Sequence, residues 1–214
     1  MSIFDRLSAF GVVPVIAIDA AEAALPLADA LIAGGLPVAE ITYRTEAAQA
    51  AIAAMAAHRP EMIVGAGTVL TEAQVEAAHA AGAQFALSPG IDAAVLAHAA
   101  KVGLPFAPGI MTPSDLQLAL RHGCGMVKFF PAMPAGGPNM LKNIAAPYAH
   151  TGIGFNPTGG VTLANLGEWL ALPEVRAVGG TWIASRADIA AGNWDKITRN
   201  AAEAVARVKE LRAQ

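Results

Sequence analysis

The chain has 214 residues, 55% of them hydrophobic and only 14% charged, enough apolar material for one large core. Its formal net charge of -3 provides no broad basic field, so neither nucleic acid nor an anionic membrane surface is expected as a partner. The single cysteine, Cys124, excludes an internal disulfide framework and suits a reducing, cytoplasmic location.

From the start, Asp5 and Arg6 fall where a secretory signal needs an unbroken apolar stretch, so no signal peptide is expected. Short apolar runs then alternate with alanine-rich stretches to the other end. Strands are predicted over 12–18, 38–43, 62–66, 85–88, 104–107, 126–130, 153–156 and 176–178. Helices are predicted between and after them, over 20–33, 46–57, 71–81, 93–101, 113–121, 139–146, 163–170 and 193–211. Thr71-Glu72, Thr112-Pro113-Ser114-Asp115 and Thr162-Leu163-Ala164-Asn165 are helix starts, and Gly34, Gly35, Gly82, Gly103 and Gly123 are stops. The longest span free of Asp, Glu, Lys and Arg, 143–167, is broken by Pro147, Gly152, Gly154, Asn156, Pro157, Gly159 and Gly160, so no membrane helix is expected there.

Strand and helix alternating without a long linker point to parallel strands joined by crossover helices. Eight such units fit one closed (β/α)8 TIM barrel spanning 1–214 as a single α/β domain. An open Rossmann-like sheet would need a Gly-x-Gly-x-x-Gly turn after the first strand. Ile18-Asp19-Ala20-Ala21-Glu22 contains no glycine at all.

Lys128 lies in Met126-Val127-Lys128-Phe129-Phe130-Pro131, an ammonium inside an apolar strand-like run, whereas Lys101, Lys142, Lys196 and Lys209 fall in helical or loop-edge segments. Burial disfavours the charged form, and a deprotonated lysine can attack a carbonyl. Snorkelling from a strand end, or pairing with a buried carboxylate, would also explain the residue.

Barrel chemistry sits at the carboxyl ends of the strands, and polar residues gather there. The second strand ends Glu40-Ile41-Thr42-Tyr43-Arg44, and alternation is expected to turn Glu40, Thr42 and Arg44 together into the mouth. Glu40 could relay protons beside the lysine and Arg44 could grip a carboxylate; alternatively, the two form a structural ion pair at the rim. Gly65-Ala66-Gly67-Thr68 would let backbone and hydroxyl approach a ligand, or permit close packing over a narrow strand end. Gly159-Gly160 and Gly179-Gly180, flanked by Thr158 and Thr181, fall where barrels hold phosphate on backbone N–H groups, and also where tight turns use glycine.

Metal and hydrolase chemistry find little support. The five histidines, His58, His79, His98, His122 and His150, fall in or beside helical segments, without ligand spacing on one strand, so no metal is expected. Cys124 reads as a packed thiol, and Ser88 lacks a Gly-x-Ser-x-Gly elbow.

Together, Glu40-Ile-Thr-Tyr-Arg44-Thr-Glu46, Gly65-Ala-Gly-Thr68-Val-Leu, Ser88-Pro89-Gly90, Val127-Lys128-Phe-Phe-Pro-Ala132 and Pro157-Thr-Gly-Gly160 resemble the 2-keto-3-deoxy-6-phosphogluconate (KDPG) aldolase family over nearly the whole chain. The resemblance implies a class I aldolase on a (β/α)8 barrel, usually a homotrimer. It splits KDPG into pyruvate and glyceraldehyde 3-phosphate as a step of the Entner-Doudoroff pathway, often accepts 4-hydroxy-2-oxoglutarate, and needs no cofactor. It also implies Lys128 as Schiff-base lysine and Glu40 as proton shuttle, with Arg44 and Thr68 on the pyruvyl carboxylate and Pro89 and Phe130 as pocket walls. Thr158, Gly159, Gly160, Gly180 and Thr181 fall at the phosphate end. Thr181, where the family often has serine, and Met111, in a stretch often reading Gly-Ile-Ser-Thr, depart from the pattern. Two other activities compete: a phosphosugar isomerase or epimerase that uses Lys128 only as a charge, and a non-catalytic phosphosugar-binding protein.

Overall fold

The computed structural model describes residues 1–213. Helix α1 (Ile3–Phe10) comes first, closed by a reciprocal cap in which the Ser2 hydroxyl accepts from the Asp5 N–H and the Asp5 carboxylate accepts from the Ser2 N–H. Then follow β1 (Val12–Ile16), α2 (Ala24–Ala33) behind a 3-10 turn, β2 (Val38–Thr42), α3 (Ala48–His58), β3 (Ile63–Gly67), α4 (Glu72–Ala80), β4 (Ala86–Leu87) and α5 (Ala93–Val102). The second half runs β5 (Phe106–Ala107), β6 (Gly109–Ile110), α6 (Pro113–Arg121), β7 (Met126–Phe129), α7 (Gly137–Ala145) and β8 (Gly154–Pro157). It ends with α8 (Leu166–Leu170), β9 (Val178–Gly180), α9 (Arg186–Ala190) and α10 (Trp194–Arg212).

Every strand pairing is parallel. Six strands form one curled sheet in the order β5-β4-β3-β2-β1-β9, and three form a second, β6-β7-β8. Every residue of β2, β3, β7 and β8 is buried, as expected of a parallel sheet covered on both faces, and this is why these strands read as unbroken apolar runs. Trp169, Phe85, Phe129 and Phe155 are among the largest fully buried side chains, each contributing about 2–3 kcal/mol of hydrophobic stabilisation.

The fifth predicted strand, 104–107, is half of the real one. Pro108 divides the segment because it has no N–H to give to a ladder, while its carbonyl accepts the Lys128 N–H at 2.8 Å. β5 pairs with β4 on one side and β6 pairs with β7 on the other, so five consecutive residues pass from one sheet to the next. The eighth predicted strand, 176–178, lies at 178–180 instead. Between β8 and β9 the backbone makes only two isolated bridges, Phe155 with Val175 and Thr158 with Gly179. Helices α1 and α9 were not among the predicted elements; both start on a serine cap, Ser2 and Ser185, and are too short for a clear periodic signal.

Candidate active site

Lys128 is the third residue of β7, with Gly109 and Asn156 as its register partners on either side. Its side chain is 5% exposed, whereas the other four lysines are exposed at the surface. Glu40, at the centre of β2 and fully buried, reaches across the interior to place Oε1 3.0 Å from Lys128 Nζ, joining residues 88 apart in the chain. Taking two charges out of water costs several kcal/mol per ion, which good geometry only partly offsets. Glu40 Oε2 adds to that cost, since among the described residues it has no hydrogen-bond partner although it is buried. The ammonium also lies 5.7 Å above the centroid of the Phe130 ring, whose negative face favours a cation.

The glycines before Thr68 make room for neighbouring side chains. A Cβ on Gly67 would strike the Glu40 carboxylate, and one on Gly65 would strike the Phe85 ring. The bare Gly67 thus leaves the space that the Glu40 side chain occupies beside Lys128, while Gly65 lets Phe85 pack closely. Thr68 itself adopts φ 56°, the one non-glycine residue with positive φ among those described. A β-branched side chain there costs about 1–3 kcal/mol, a strain that structures tend to keep where a group must be aimed.

The expected alternation of Glu40, Thr42 and Arg44 ends at Thr42. β2 stops there, the Thr42 hydroxyl donates to Ile16 O at 2.8 Å, and Arg44 lies exposed in the following turn. The alternative Glu40–Arg44 ion pair is not formed, because Glu40 is turned to Lys128. Arg44 instead borders a cavity of about 400 Å³ with Tyr43, Glu46 and Gln74. Pro89 and Phe130 meet across another, of about 410 Å³, with Met111 on its wall.

At the other side of the mouth, Gly159 and Gly160 adopt φ 101° and 78°, conformations that require glycine, and Gly180 closes β9 with the exposed Thr181 directly beyond. Thr158, directly before Gly159, is buried, and its Oγ1 donates to Asn156 Oδ1 at 3.0 Å, so that hydroxyl proton is engaged within the protein. Asn156, which sequence reasoning passed over, is buried on the side of its sheet that carries Lys128. Its one signal was an amide closing an otherwise apolar run.

A cavity of about 520 Å³, larger than either at the mouth, lies at the opposite end among Phe4, Leu104, Phe106, Cys124 and Met126. Burial pushes the Cys124 thiol up to about 11, so it stays protonated at neutral pH and is no nucleophile. Among the described residues no three His, Cys, Asp or Glu side chains are placed to hold a metal ion, and no helix is long and apolar enough to cross a membrane.

A covered parallel α/β sheet that holds one buried amine against one buried carboxylate defines a lysine-dependent enzyme equipped for carbonyl chemistry. The model of the family described as KDPG and KHG aldolase matches residues 3–200. The chain is 42% identical over 207 residues to the 2-dehydro-3-deoxy-phosphogluconate aldolase of Haemophilus influenzae, covering 97% of each protein. It is 46% identical over 198 residues to the KHG/KDPG aldolase of Escherichia coli K12, covering 92% of each. The crystal structure of the KDPG aldolase of Legionella pneumophila, with pyruvate captured as a covalent carbinolamine, matches with a TM-score of 0.89 at 41% identity, covering 94% of this chain and 97% of that one. The chain belongs to the KDPG and KHG aldolase family.

Proposed function

We propose that this protein is a class I aldolase that cleaves KDPG to pyruvate and glyceraldehyde 3-phosphate through an imine on Lys128, and that it also accepts 4-hydroxy-2-oxoglutarate. The observation that carries this reading is the Lys128 amine, buried and 3.0 Å from the buried Glu40 carboxylate. Glu40 is close enough to take a proton from Nζ directly, freeing the nitrogen lone pair. That pair attacks the C2 ketone of the substrate to give a carbinolamine, the kind of adduct captured in the Legionella protein, and loss of water leaves a protonated imine. Glu40, having given its proton to the departing water, accepts the C4 hydroxyl proton directly or through a water, and the C3–C4 bonding pair moves into the imine. Glyceraldehyde 3-phosphate departs and an enamine remains. Glu40 returns a proton to C3, directly or through a water, and hydrolysis of the imine releases pyruvate and the free lysine.

The remaining groups bind. In this reading Arg44 and Thr68 hold the pyruvyl carboxylate, and the strained Thr68 backbone aims its hydroxyl. Pro89 and Phe130 wall the pyruvyl pocket. Gly159, Gly160, Gly180 and Thr181 take the phosphate, and Thr158, whose hydroxyl proton is committed to Asn156 and whose N–H is committed to Phe129 O, contributes by fixing the start of the glycine turn. The two sheets are read as arcs of one closed eight-stranded barrel and the chain as a single domain. The handover at Pro108 and the Thr158–Gly179 bridge support that reading. A cytoplasmic homotrimer acting in the Entner-Doudoroff pathway completes the proposal, supported by family membership.

Borohydride reduction in the presence of pyruvate tests the chemistry: mass spectrometry should find one reduced pyruvyl adduct, on Lys128. An unmodified Lys128 would refute imine catalysis. Activity surviving Lys128→Arg would favour an isomerase or epimerase, since arginine keeps the charge and cannot form the imine.

A further inference from the structure

The two glycine turns assigned above to the phosphate stand on strands of different sheets. Gly159 and Gly160 follow β8, the outer strand of the three-stranded sheet, while Gly180 ends β9, the edge of the six-stranded one. Elsewhere parallel ladders set the spacing of neighbouring strands. At this seam there are only the two isolated bridges, and Asn156 sits between them in sequence.

Asn156 is 1% exposed and both ends of its amide are engaged. Nδ2 donates to Ala177 O at 3.0 Å across the seam, and Oδ1 accepts the Thr158 hydroxyl proton at 3.0 Å. The direction of this relay is fixed, because a backbone carbonyl can only accept. The amide nitrogen must therefore face Ala177, its oxygen must face Thr158, and Thr158 must donate. Thr158 Oγ1 in turn fills the space that a Cβ on Gly179 would occupy, so the relay continues onto β9 by close contact. A side chain thus replaces the ladder where the backbone does not supply one.

Resting on the proposed phosphate site, we infer that Asn156 is a positioning residue: its amide sets the separation of the Gly159–Gly160 and Gly180–Thr181 turns, and so governs how well the substrate's phosphate is held, without touching the substrate. Donors from two strands must reach one anion together. Charge-assisted hydrogen bonds weaken steeply beyond normal donor–acceptor distance, so a small change in the spacing of the two turns costs affinity chiefly at this end, whereas Lys128 is held by the continuous β6-β7-β8 ladder.

The test compares KDPG with 4-hydroxy-2-oxoglutarate, which has no phosphate, in the full-length Asn156→Leu and Asn156→Ser variants. The first keeps nearly the size of the side chain, adds no charge beside its register partner Lys128 and makes no hydrogen bond to Ala177 or Thr158; the second is uncharged and too short to span the seam. Each variant should raise KM for KDPG about tenfold, the loss of one hydrogen bond to a charged group, while kcat and the constants for 4-hydroxy-2-oxoglutarate stay within about threefold. Equal decline on both substrates would reduce Asn156 to a structural role and overturn the inference, as would an unchanged KM for KDPG. If Asn156→Leu does not fold, Asn156→Ser decides on the same readout. An unaltered protein that turns over neither acid would sink the proposed function itself, and the inference with it.

Discussion

Lys128 and Lys196 each stand 3.0 Å from a carboxylate, Glu40 and Asp188 respectively, and the two pairs are built to opposite ends. Asp188, in the middle of α9, accepts from the Ser185 hydroxyl, from Asn193 Nδ2 and from Lys196 Nζ, and these donors hold its carboxyl down at about 2, the Ser185 bond first. Lys196 is half exposed, so water screens its charge and the neutral donors matter more. A carboxylate so fully satisfied has no use for a proton. Glu40 has one partner on one oxygen and none on the other, in a place where water does not screen the pair. Equal distance therefore says little: the number of partners left unmade separates the carboxylate proposed as a proton shuttle from a structural anion.

The largest effect that would sharpen this contrast is expected of Lys128→Met. Pyruvate release from KDPG should fall at least about 10⁴-fold, as when a covalent catalyst is removed. Stability should fall as well, by about 3 kcal/mol in urea denaturation at neutral pH, because Glu40 keeps a buried charge without its counter-ion. Glu40→Gln comes next: the amide still accepts from the ammonium but cannot take its proton, so kcat should drop about 10²–10⁴-fold while the protein stays folded by circular dichroism.

Asp188→Asn should leave kcat unchanged and act on stability alone. The folded pKa of Asp188, about 2, lies below the ordinary 3.8, so its contribution is complete above 3.8 and is lost as pH falls toward 2. Thermal melts over that range should show the midpoint of the unaltered protein dropping with acid, and a shallower slope in the variant. A turnover loss in this variant matching that of Glu40→Gln would break the comparison. The smallest effect is that of Thr68→Gly, which relieves the positive φ: with unfolded-state entropy working against it, stability should change by no more than about 1 kcal/mol, while KM for pyruvyl substrates rises.

Much of this was legible in the chain. Lys128 was conspicuous because charge is rare inside an apolar strand run, and the parallel α/β class followed from apolar runs alternating with helical stretches. Glu40 is expected beside the lysine from the gathering of polar residues at strand ends and from the chemistry an imine needs, whereas its direct 3.0 Å contact with Lys128 comes from the tertiary structure, since local pattern carries no information on which strands face each other across an interior. For Arg44 period-two alternation does not apply, because it holds only while the strand lasts and β2 ends at Thr42; Arg44 borders its cavity from the following turn. Nothing local marks the left-handed Thr68, because the backbone there is held by its surroundings against its own preference.

The order of strands and helices, the odd lysine and the glycines that alone tolerate positive φ at 159 and 160 were determined by the sequence itself, since each depends on neighbours within a few residues. Tertiary structure decided the 3.0 Å contact between β2 and β7, the passage from one sheet to the other at Pro108, and the Asn156 amide spanning the β8–β9 seam. These depend on how twisted strands meet across a shared interior, where packing and the need to pair every buried polar group select one arrangement among many that local preference allows.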